Sequence, residues 1–243
     1  MVQSIDRAMQ IISLLSSDER KAEWSISELS GQTGLPVSTM HRLLQSLMQH
    51  ELVAQNADTK RYKLGYRWLE LGLRTLNTLD LRAVARPAME RLVAEVEENA
   101  FLNIISGRDG IVIEKVESPL KIRVDEQLGT RIPLTVGAPN KVLLAFMPQE
   151  EREAVMKRQP AEQQAALEQL LHQIREQGYA ISISEKTEDT AAVAAPVFDH
   201  AGRAAAAVSI GIPGFRFTED RIPAFIQQVQ ETAAQISFSL GQT

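Results

Sequence analysis

Apolar positions in the first fifty residues follow a helical spacing in three short segments. In residues 5–15 they recur three or four positions apart, which predicts a first helix. The sequence SISE at residues 25–28 has the pattern of a capping box and predicts the start of a second helix, which Gly34 ends. Pro36 favours the start of a third helix, extending to about His50, because its missing amide costs nothing there. Two short helices joined by a glycine-containing turn are typical of a helix-turn-helix.

The segment after the third helix has the pattern of a β-hairpin. Apolar runs at residues 52–54 and 62–64 flank a polar stretch that contains Asn56 and Asp58. A hairpin that follows a helix-turn-helix at this distance occupies the position of a wing. The first part of the chain is therefore predicted to be a winged helix-turn-helix.

Beyond the hairpin, a helical segment leads into alternating strands and helices. Residues 66–79 have helical spacing and predict a connecting helix. The predicted strands are 101–106, 111–116, 122–127, 179–184, 193–198 and 203–210. The predicted helices are 81–98, 140–146, 149–158, 161–177 and 219–239. Strands paired by hairpins with helices between them indicate the α+β class with an antiparallel sheet.

The pattern divides the chain into three parts, with a domain boundary near residues 79–81. We predict a winged helix-turn-helix DNA-binding domain at residues 1–65, a linker helix at residues 66–80, and an α+β domain at residues 81–243. The division follows from the change in element type along the chain, since no internal repeat marks it.

Composition restricts the functions open to the chain. Its 243 residues are 44% hydrophobic and 23% charged, which is the balance of an ordinary globular protein. Because cysteine is absent, a disulfide scaffold, a zinc–thiolate site and a cysteine nucleophile are excluded. The N-terminal residues lack the pattern of a secretion signal and no apolar run has the length of a membrane span, so we expect a cytoplasmic protein.

The net charge of −5 is unevenly distributed. The first 65 residues contain seven basic and seven acidic residues, so the remainder carries the negative charge. Acidic residues are absent from residues 36–50, where Arg42 is the only charged residue, and from residues 60–67, which contain four basic residues. We expect contacts with nucleic-acid phosphates in these two places.

The third helix is amphipathic, with Met40, Leu43, Leu44 and Leu47 on one face. The opposite face is polar and free of acid. Arginine can pair with the guanine edge and glutamine with adenine, while hydroxyls at a helix start suit phosphate oxygens. The DNA-binding candidates on this helix are Ser38, Thr39, His41, Arg42, Gln45 and Gln49.

The hairpin supplies three further DNA-binding candidates, Lys60, Arg61 and Lys63, each able to displace a counterion from a phosphate. A solvated helix face and an ordinary basic surface hairpin would show the same residues. DNA binding is favoured because a capped helix, a glycine turn and a wing occur together in the right order.

The N-terminal part resembles the winged helix-turn-helix of the IclR family of bacterial transcriptional regulators in the segments SIDRAMQIISLL, ISELSGQTGLPVSTMHRLLQSLMQHELV and KRYKLGYRWLELG. The C-terminal segment GYAISISEKTEDTAAVAAPVFDHAGRAAAAVSIGIPGFRFT is similar to the effector domain of that family. The resemblance implies a GAF-like effector-binding domain and a homodimer or dimer of dimers on palindromic double-stranded DNA. It also implies a small-molecule effector, often an organic acid, and no cofactor.

The same resemblance indicates where the effector would bind. The family's pocket is lined by the loop before a helix that here contains VLLA, by the strand after Gly-Tyr, and by a Ser-x-Ser stretch. The effector-binding candidates are Ala138, Pro139, Ser182, Ala192 and Ser209. Asn140 stands where the family usually has glycine, and Gly211 replaces the second serine. Ordinary strand serines would also account for Ser182 and Ser209.

An acidic effector would need a positively charged partner. Arg123 and Arg131 are candidates to bind a carboxylate. The backbone amides of loop 137–141, at the start of a helix, are an alternative.

No catalytic constellation accompanies these motifs. The sequence has no G-x-S-x-G motif, no phosphate-binding glycine loop and no histidines at metal-ligand spacing. We interpret Glu95, Glu97 and Glu98 as a solvated helix face. The chain is therefore predicted to be a regulator rather than an enzyme, with no metal site. The alternatives are a metabolic enzyme with an N-terminal oligomerisation module and an interaction scaffold without DNA affinity.

Overall fold

The N-terminal helices form where the apolar spacing and the capping residues predict them. The elements of this part are α1 (Gln3–Leu15), α2 (Ile26–Thr33), α3 (Val37–Gln49), β1 (Val53–Gln55), β2 (Tyr62–Leu64) and α4 (Arg67–Asn77). The structure, a computed structural model, describes residues 3–17, 21–77 and 80–241. The chain divides into two units, Met1–Leu79 and Asp80–Thr243.

The capping box of α2 is confirmed. Ser25 Oγ accepts a hydrogen bond from Glu28 N at 3.3 Å, and the Glu28 carboxylate accepts one from Ser25 N at 2.7 Å. Gly34 ends the helix at φ 69°, a left-handed conformation that favours glycine. The turn lets α2 and α3 share one core, in which Leu29 and Met40 are fully buried.

The hairpin is anchored at its base. β1 and β2 are antiparallel, and Trp24 extends the small sheet by exchanging backbone hydrogen bonds of 2.8 and 2.7 Å with Tyr62. Gly65 N donates to Leu52 O at 3.0 Å. A Cβ at residue 65 would lie 1.9 Å from the Glu51 carbonyl oxygen, so only glycine allows this close backbone approach.

Helix α4 corresponds to the predicted connecting helix. Trp68 Nε1 donates to Leu52 O at 2.8 Å, which joins the first turn of α4 to the hairpin base. Residues 78 and 79 of the predicted linker lie outside the described residues, as do the side chains of residues 73–77 and 80.

The C-terminal unit contains an antiparallel sheet of six strands, in the order β5-β4-β3-β8-β7-β6. Its elements are α5 (Asp80–Val96), β3 (Asn99–Ser106), β4 (Asp109–Val116), β5 (Arg131–Pro133), α6 (Ala138–Phe146), α7 (Gln149–Met156), α8 (Ala161–Gln177), β6 (Ala180–Ile183), β7 (Thr190–Phe198), β8 (Ala204–Pro213) and α9 (Ile222–Ser239). The predicted α+β class with an antiparallel sheet is confirmed.

Helices cover both faces of this sheet. On one face α5 and α9 pack against each other and against β3, β4, β7 and β8. On the other face α6 contacts five neighbouring strands, β4, β3, β8, β7 and β6, and α8 packs against α6. Strand β8 is buried on both faces from Ala206 to Pro213, so the sheet is the centre of the unit.

The interpretation of Glu95, Glu97 and Glu98 as a solvated face is wrong for Glu98, which is fully buried. Glu97 adopts a left-handed φ of 60° after α5 ends, and Glu98 then begins the inward turn to β3. The Glu98 carboxylate accepts hydrogen bonds from Arg216 Nε at 2.5 Å and Nη2 at 2.7 Å. These bonds raise the pKa of Arg216.

The predicted strand at residues 122–127 is also wrong, because this segment is irregular. A side chain holds it in place: Asn99 Nδ2 donates to Val124 O at 2.8 Å. Val124 turns toward the interior while its neighbours remain polar, which gives the alternation of a strand without a strand ladder. The strand that pairs with β4 at this edge of the sheet is β5.

Candidate functional site

Helix α3 presents the polar face predicted from the sequence. Met40, Leu44 and Leu47 are buried. Thr39 is half-buried. The remaining candidates on the helix are all exposed: Ser38, His41, Arg42, Gln45 and Gln49. Within the described residues, Arg42 makes no ion pair or hydrogen bond through its guanidinium, so the group is available to an external partner.

The N-terminus of α3 has no internal cap. Pro36 occupies the capping position and provides no side-chain hydrogen bond. Its carbonyl accepts from Met40 N at 2.9 Å, which closes the first turn of the helix. The N–H groups of the first turn therefore have no capping side chain, and they lie beside the Ser38 hydroxyl, in the arrangement that suits a phosphate oxygen.

The three basic residues of the hairpin differ in their surroundings. Lys60 is exposed and has a left-handed φ of 56°. Lys63 is half-buried. Arg61 is engaged by its own protein, because its Nη2 lies 2.8 Å from Glu28 Oε2. Arg61 therefore joins the hairpin to α2.

Glu28 collects several hydrogen bonds. Besides Ser25 N and Arg61, its carboxylate accepts from Lys21 Nζ at 2.9 Å. These hydrogen bonds lower the pKa of Glu28 to about 2. The bond from the Ser25 backbone amide has the largest effect, and those with the side chains of Lys21 and Ser25 come next. The cap of the helix-turn-helix and the wing thus share one carboxylate.

A second carboxylate fixes the ends of the hairpin turn. Glu23 accepts hydrogen bonds from Asn56 Nδ2 at 2.7 Å and from Thr59 Oγ1 at 2.9 Å. These two bonds lower the pKa of Glu23. Both ends of the turn are therefore held by Glu23, which fixes the backbone from which the Lys60 side chain extends.

The C-terminal unit contains a cavity of about 80 Å³ beneath loop 136–140. It is lined by one face of β3, β8, β7 and β6, and by the irregular segments 124–126 and 184–187. Four of the five effector-binding candidates line it: Pro139, Ser182, Ala192 and Ser209. Ala138 does not line the cavity. It is fully buried behind the wall, where its N–H donates to Ser182 Oγ at 3.0 Å.

The start of α6 already holds a carboxylate. Glu185 Oε2 accepts from Gly137 N at 2.9 Å, and Glu185 Oε1 lies 2.5 Å from Lys141 Nζ. At the same rim, Lys186 forms an ion pair with Glu126. The amides of loop 137–141 were an expected site for an effector carboxylate, and a side chain of the same chain occupies that position.

The arginines considered as carboxylate partners lie elsewhere. Arg123 donates to Leu120 O at 3.0 Å, and Arg131 donates to Ser106 Oγ at 3.0 Å. Neither lines the cavity. The expectation that one of them faces the effector is therefore not supported by their positions.

Asn140 makes a structural link at the start of α6. Its Nδ2 donates to Val136 O at 3.0 Å and, at 3.4 Å, to the carbonyls of Ile132 and Pro133. Its Oδ1 lies against Gly110, where a Cβ would approach it to 1.9 Å. Asn140 thus fixes the loop that forms the roof of the cavity.

Asn103 is a cavity residue that the sequence reasoning missed. It lies on β3, lines the cavity and is only 1% exposed. Its Oδ1 is buried and has no hydrogen-bond partner. The available signal was a single polar residue in the apolar strand sequence FLNII.

A helix-turn-helix with an acid-free exposed helix, followed by a separate α+β unit that contains a cavity, defines the class of two-domain transcriptional regulators. The family model described as "IclR helix-turn-helix domain" matches residues 4–57, and the model described as "Bacterial transcriptional regulator IclR C-terminal" matches residues 73–238. The chain belongs to the IclR family of transcriptional regulators.

Known proteins similar to the chain span nearly all of its length. The HTH-type transcriptional regulator KipR of Bacillus subtilis is 36% identical over 96% of this chain and 96% of its own length. The IclR of Thermotoga maritima is 27% identical, with a TM-score of 0.75 over 99% of this chain and 100% of that one. An IclR homologue of Microbacterium hydrocarbonoxydans, solved with 4-hydroxybenzoate, is 23% identical, with a TM-score of 0.81 over 98% of both chains.

The comparisons identify a regulator and not an enzyme, as the sequence predicted, because the family models and the curated relatives are transcriptional regulators. In the part of the chain that the structure describes, no three His, Asp or Glu residues form a group that could hold a metal ion. The described helices include none long and apolar enough to cross a membrane.

Proposed function

We propose that this regulator binds palindromic double-stranded DNA through α3 and the β1–β2 hairpin, and that a small molecule in the C-terminal cavity controls this binding. The observation that carries the proposal is the exposed face of α3, which combines a free guanidinium with amide and hydroxyl groups and contains no acid. Such a face fits a DNA major groove.

Each side chain on this surface has a role that its chemistry supports. Arg42 and Gln45 are placed to contact base edges, with His41 and Gln49 at the margins of the same face. Ser38, Thr39 and the first-turn amides of α3 suit phosphate oxygens. Lys60 and Lys63 contact the DNA phosphate backbone from the hairpin. Arg61 instead positions the hairpin through its ion pair with Glu28.

The effector site that we propose is the cavity lined by Pro139, Ser182, Ala192 and Ser209, with Ala138 orienting Ser182 from behind. Effector binding would shift a pre-existing equilibrium between arrangements of two subunits, and so change the separation of their recognition helices. Residues 1–65 are the DNA reader in this proposal, residues 66–80 the connection and residues 81–243 the sensor.

The functional unit that we propose is a homodimer or a dimer of dimers. Support comes from two exposed apolar side chains of α1, Ile5 and Met9, which lie about one turn apart on the same side of the helix. Apolar groups exposed together mark surfaces that bind protein. A two-fold dimer also matches the symmetry of a palindromic site.

Selection of duplexes from a random pool by the purified chain tests this proposal. We expect a palindromic motif to be enriched, with an affinity that falls steeply between about 50 and 200 mM salt. A variant that combines Arg42→Ala with Gln45→Ala should lose the enrichment, while Arg158→Ala, an exposed arginine of the other unit, should retain it. Absence of any enriched motif would favour a scaffold without DNA affinity.

A further inference from the structure

Asn103 lines the cavity, and its carboxamide has no hydrogen-bond partner in the part of the chain that the structure describes. Within the described residues, neither its oxygen nor its nitrogen makes a hydrogen bond, although the residue is 99% buried and lines the cavity. Leaving a buried amide unpaired lowers stability, so such a group requires an explanation. A ligand that supplies the missing hydrogen bonds provides one.

Strand alternation places Asn103 on the same cavity-lining face of β3 as Phe101, and the neighbouring strand β4 is irregular beside it. Leu102 pairs with Glu114, but Asn103 pairs with Val112, so that Ile113 is an extra residue in β4. A β-bulge of this kind redirects side chains and is common beside binding sites. Here the bulge pairs Val112 with Asn103, and both residues line the cavity wall.

Two other polar side chains of the wall, Ser209 and Ser182, are uncharged hydroxyls. Ser209 lies on β8, next to β3, and is 2% exposed. Ser182 Oγ accepts from Ala138 N, which leaves its own O–H to donate. All three residues line one cavity and offer hydrogen bonds without bringing a charge.

Every charged group at the cavity rim is already paired. Glu185 is held by Gly137 N and Lys141, and Lys186 by Glu126. Among the lining residues that the structure describes, no cation is left for a carboxylate. An acidic ligand would have to displace Glu185 from the start of α6 or be desolvated without a counter-charge.

We propose that the cavity binds a small uncharged molecule with a carboxamide or lactam group, in place of the organic acid expected from the family resemblance. The ligand N–H would donate to Asn103 Oδ1, and the ligand carbonyl would accept from Asn103 Nδ2. A volume of about 80 Å³ is roughly half that of an apolar cavity that holds benzene, about 150 Å³, so the space favours a compact amide. This inference rests on the proposed role of the cavity as the effector site.

Thermal unfolding of the full chain with probes of matched shape tests the inference. Propionamide and 2-pyrrolidinone should raise Tm by about 3 °C or more at a tenfold excess over Kd, because each binds only the folded state. Propionate, with nearly the same shape as propionamide, should leave Tm unchanged. In the Glu185→Gln variant, which removes the internal carboxylate, propionate should gain a shift.

Substitution of Asn103 separates a ligand contact from a structural role. Asn103→Leu should keep or raise the Tm of the ligand-free chain, because it removes an unpaired polar group, and it should abolish the response to propionamide. Asn99→Leu is the matched control on the same strand. Because Asn99 binds Val124 O and Ser118 N through its side chain, its loss should lower Tm.

The outcomes distinguish this inference from the proposed function. A shift with propionate but not with propionamide would overturn the ligand class and leave the effector site intact. An undiminished propionamide response in Asn103→Leu, or no response to either amide in the unmodified chain, would also overturn it. Motif selection by the chain without any probe tests the regulator's DNA binding separately.

Discussion

Arg42 is the residue on which base recognition is expected to depend, because it is the only charged side chain on the exposed face of α3. Arg42→Ala should cost about 1–3 kcal/mol on the selected site and relax preference at one base position. Competition titrations against single-base variants of the site measure this. An equal loss for every sequence would make Arg42 a phosphate contact instead.

Glu28 couples the cap of α2 to the hairpin, and its protonation has a defined effect. Its folded pKa, about 2, lies below the ordinary value of 4.5. A carboxyl whose pKa is lowered on folding contributes stability that is fully present above about pH 4.5 and is lost as the pH falls toward 2.

Glu28→Gln should therefore lower Tm at pH 7, and the difference from the unmodified chain should shrink as the pH falls from about 4.5 to 2. Thermal unfolding across this range measures it. Glu150→Gln, which removes an exposed carboxylate with no hydrogen bond among the described residues, controls for net charge. If the Tm difference between Glu28→Gln and the unmodified chain did not vary with pH, the ionised carboxylate of Glu28 would not be the source of the stabilisation.

At the scale of elements, the hairpin separates two cations that look equivalent in the sequence. Lys60→Ala should reduce the slope of log K against log salt by about one unit, as expected for loss of one phosphate contact, without changing the ranking of sites. Lys157→Ala, on the other unit, is the control. Arg61→Ala should instead lower Tm, because it removes the ion pair with Glu28. If that variant also reduced the salt slope by a full unit, Arg61 would be a phosphate contact.

The roof of the cavity depends on the pair Gly110 and Asn140. Gly110→Ala should cost about 1–3 kcal/mol, because a Cβ would displace the Asn140 carboxamide from the three carbonyls that it binds. Adding Asn140→Gly should cost less than the sum of the two single changes, by roughly 1 kcal/mol or more. Chemical denaturation of the unmodified chain, the two single variants and the double variant measures this coupling energy. Strictly additive costs would contradict the contact between the two residues. Gly31→Ala, with open space around its position, is the control.

Local chemistry explains which elements could be predicted. The capping box at residues 25–28 and the left-handed Gly34 specify their own geometry, so α2 followed directly from the sequence. Residues 122–127 and Glu98 could not be predicted, because their partners, Asn99 and Arg216, become neighbours only in the fold. The role of Asn103 was hidden for the same reason, since the other cavity-lining residues, such as Ser182 and Ser209, come beside it only in the fold.

At the scale of the whole molecule, the proposed dimer makes the spacing of half-sites a geometric constraint. Recognition helices of a two-fold dimer meet half-sites about 34 Å, or one helical turn, apart. Insertion of five base pairs between the selected half-sites should weaken binding by roughly tenfold or more, because one half-site turns to the far side of the duplex, and ten should restore part of it. Gel-shift titrations measure this. Indifference to a five-base-pair insertion would contradict a rigid dimer.

The anchored hairpin has a consequence for how such a regulator can change over evolution. Gly65 and Trp68 hold its base, and Glu23 holds Asn56 and Thr59, so Ala57 and Asp58 are the two turn residues between the fixed points. Insertions at this tip would lengthen the reach along the sugar–phosphate chain without moving the helix that reads bases. Overall tightness of binding and choice of sequence can thus diverge independently among descendants of one ancestral protein.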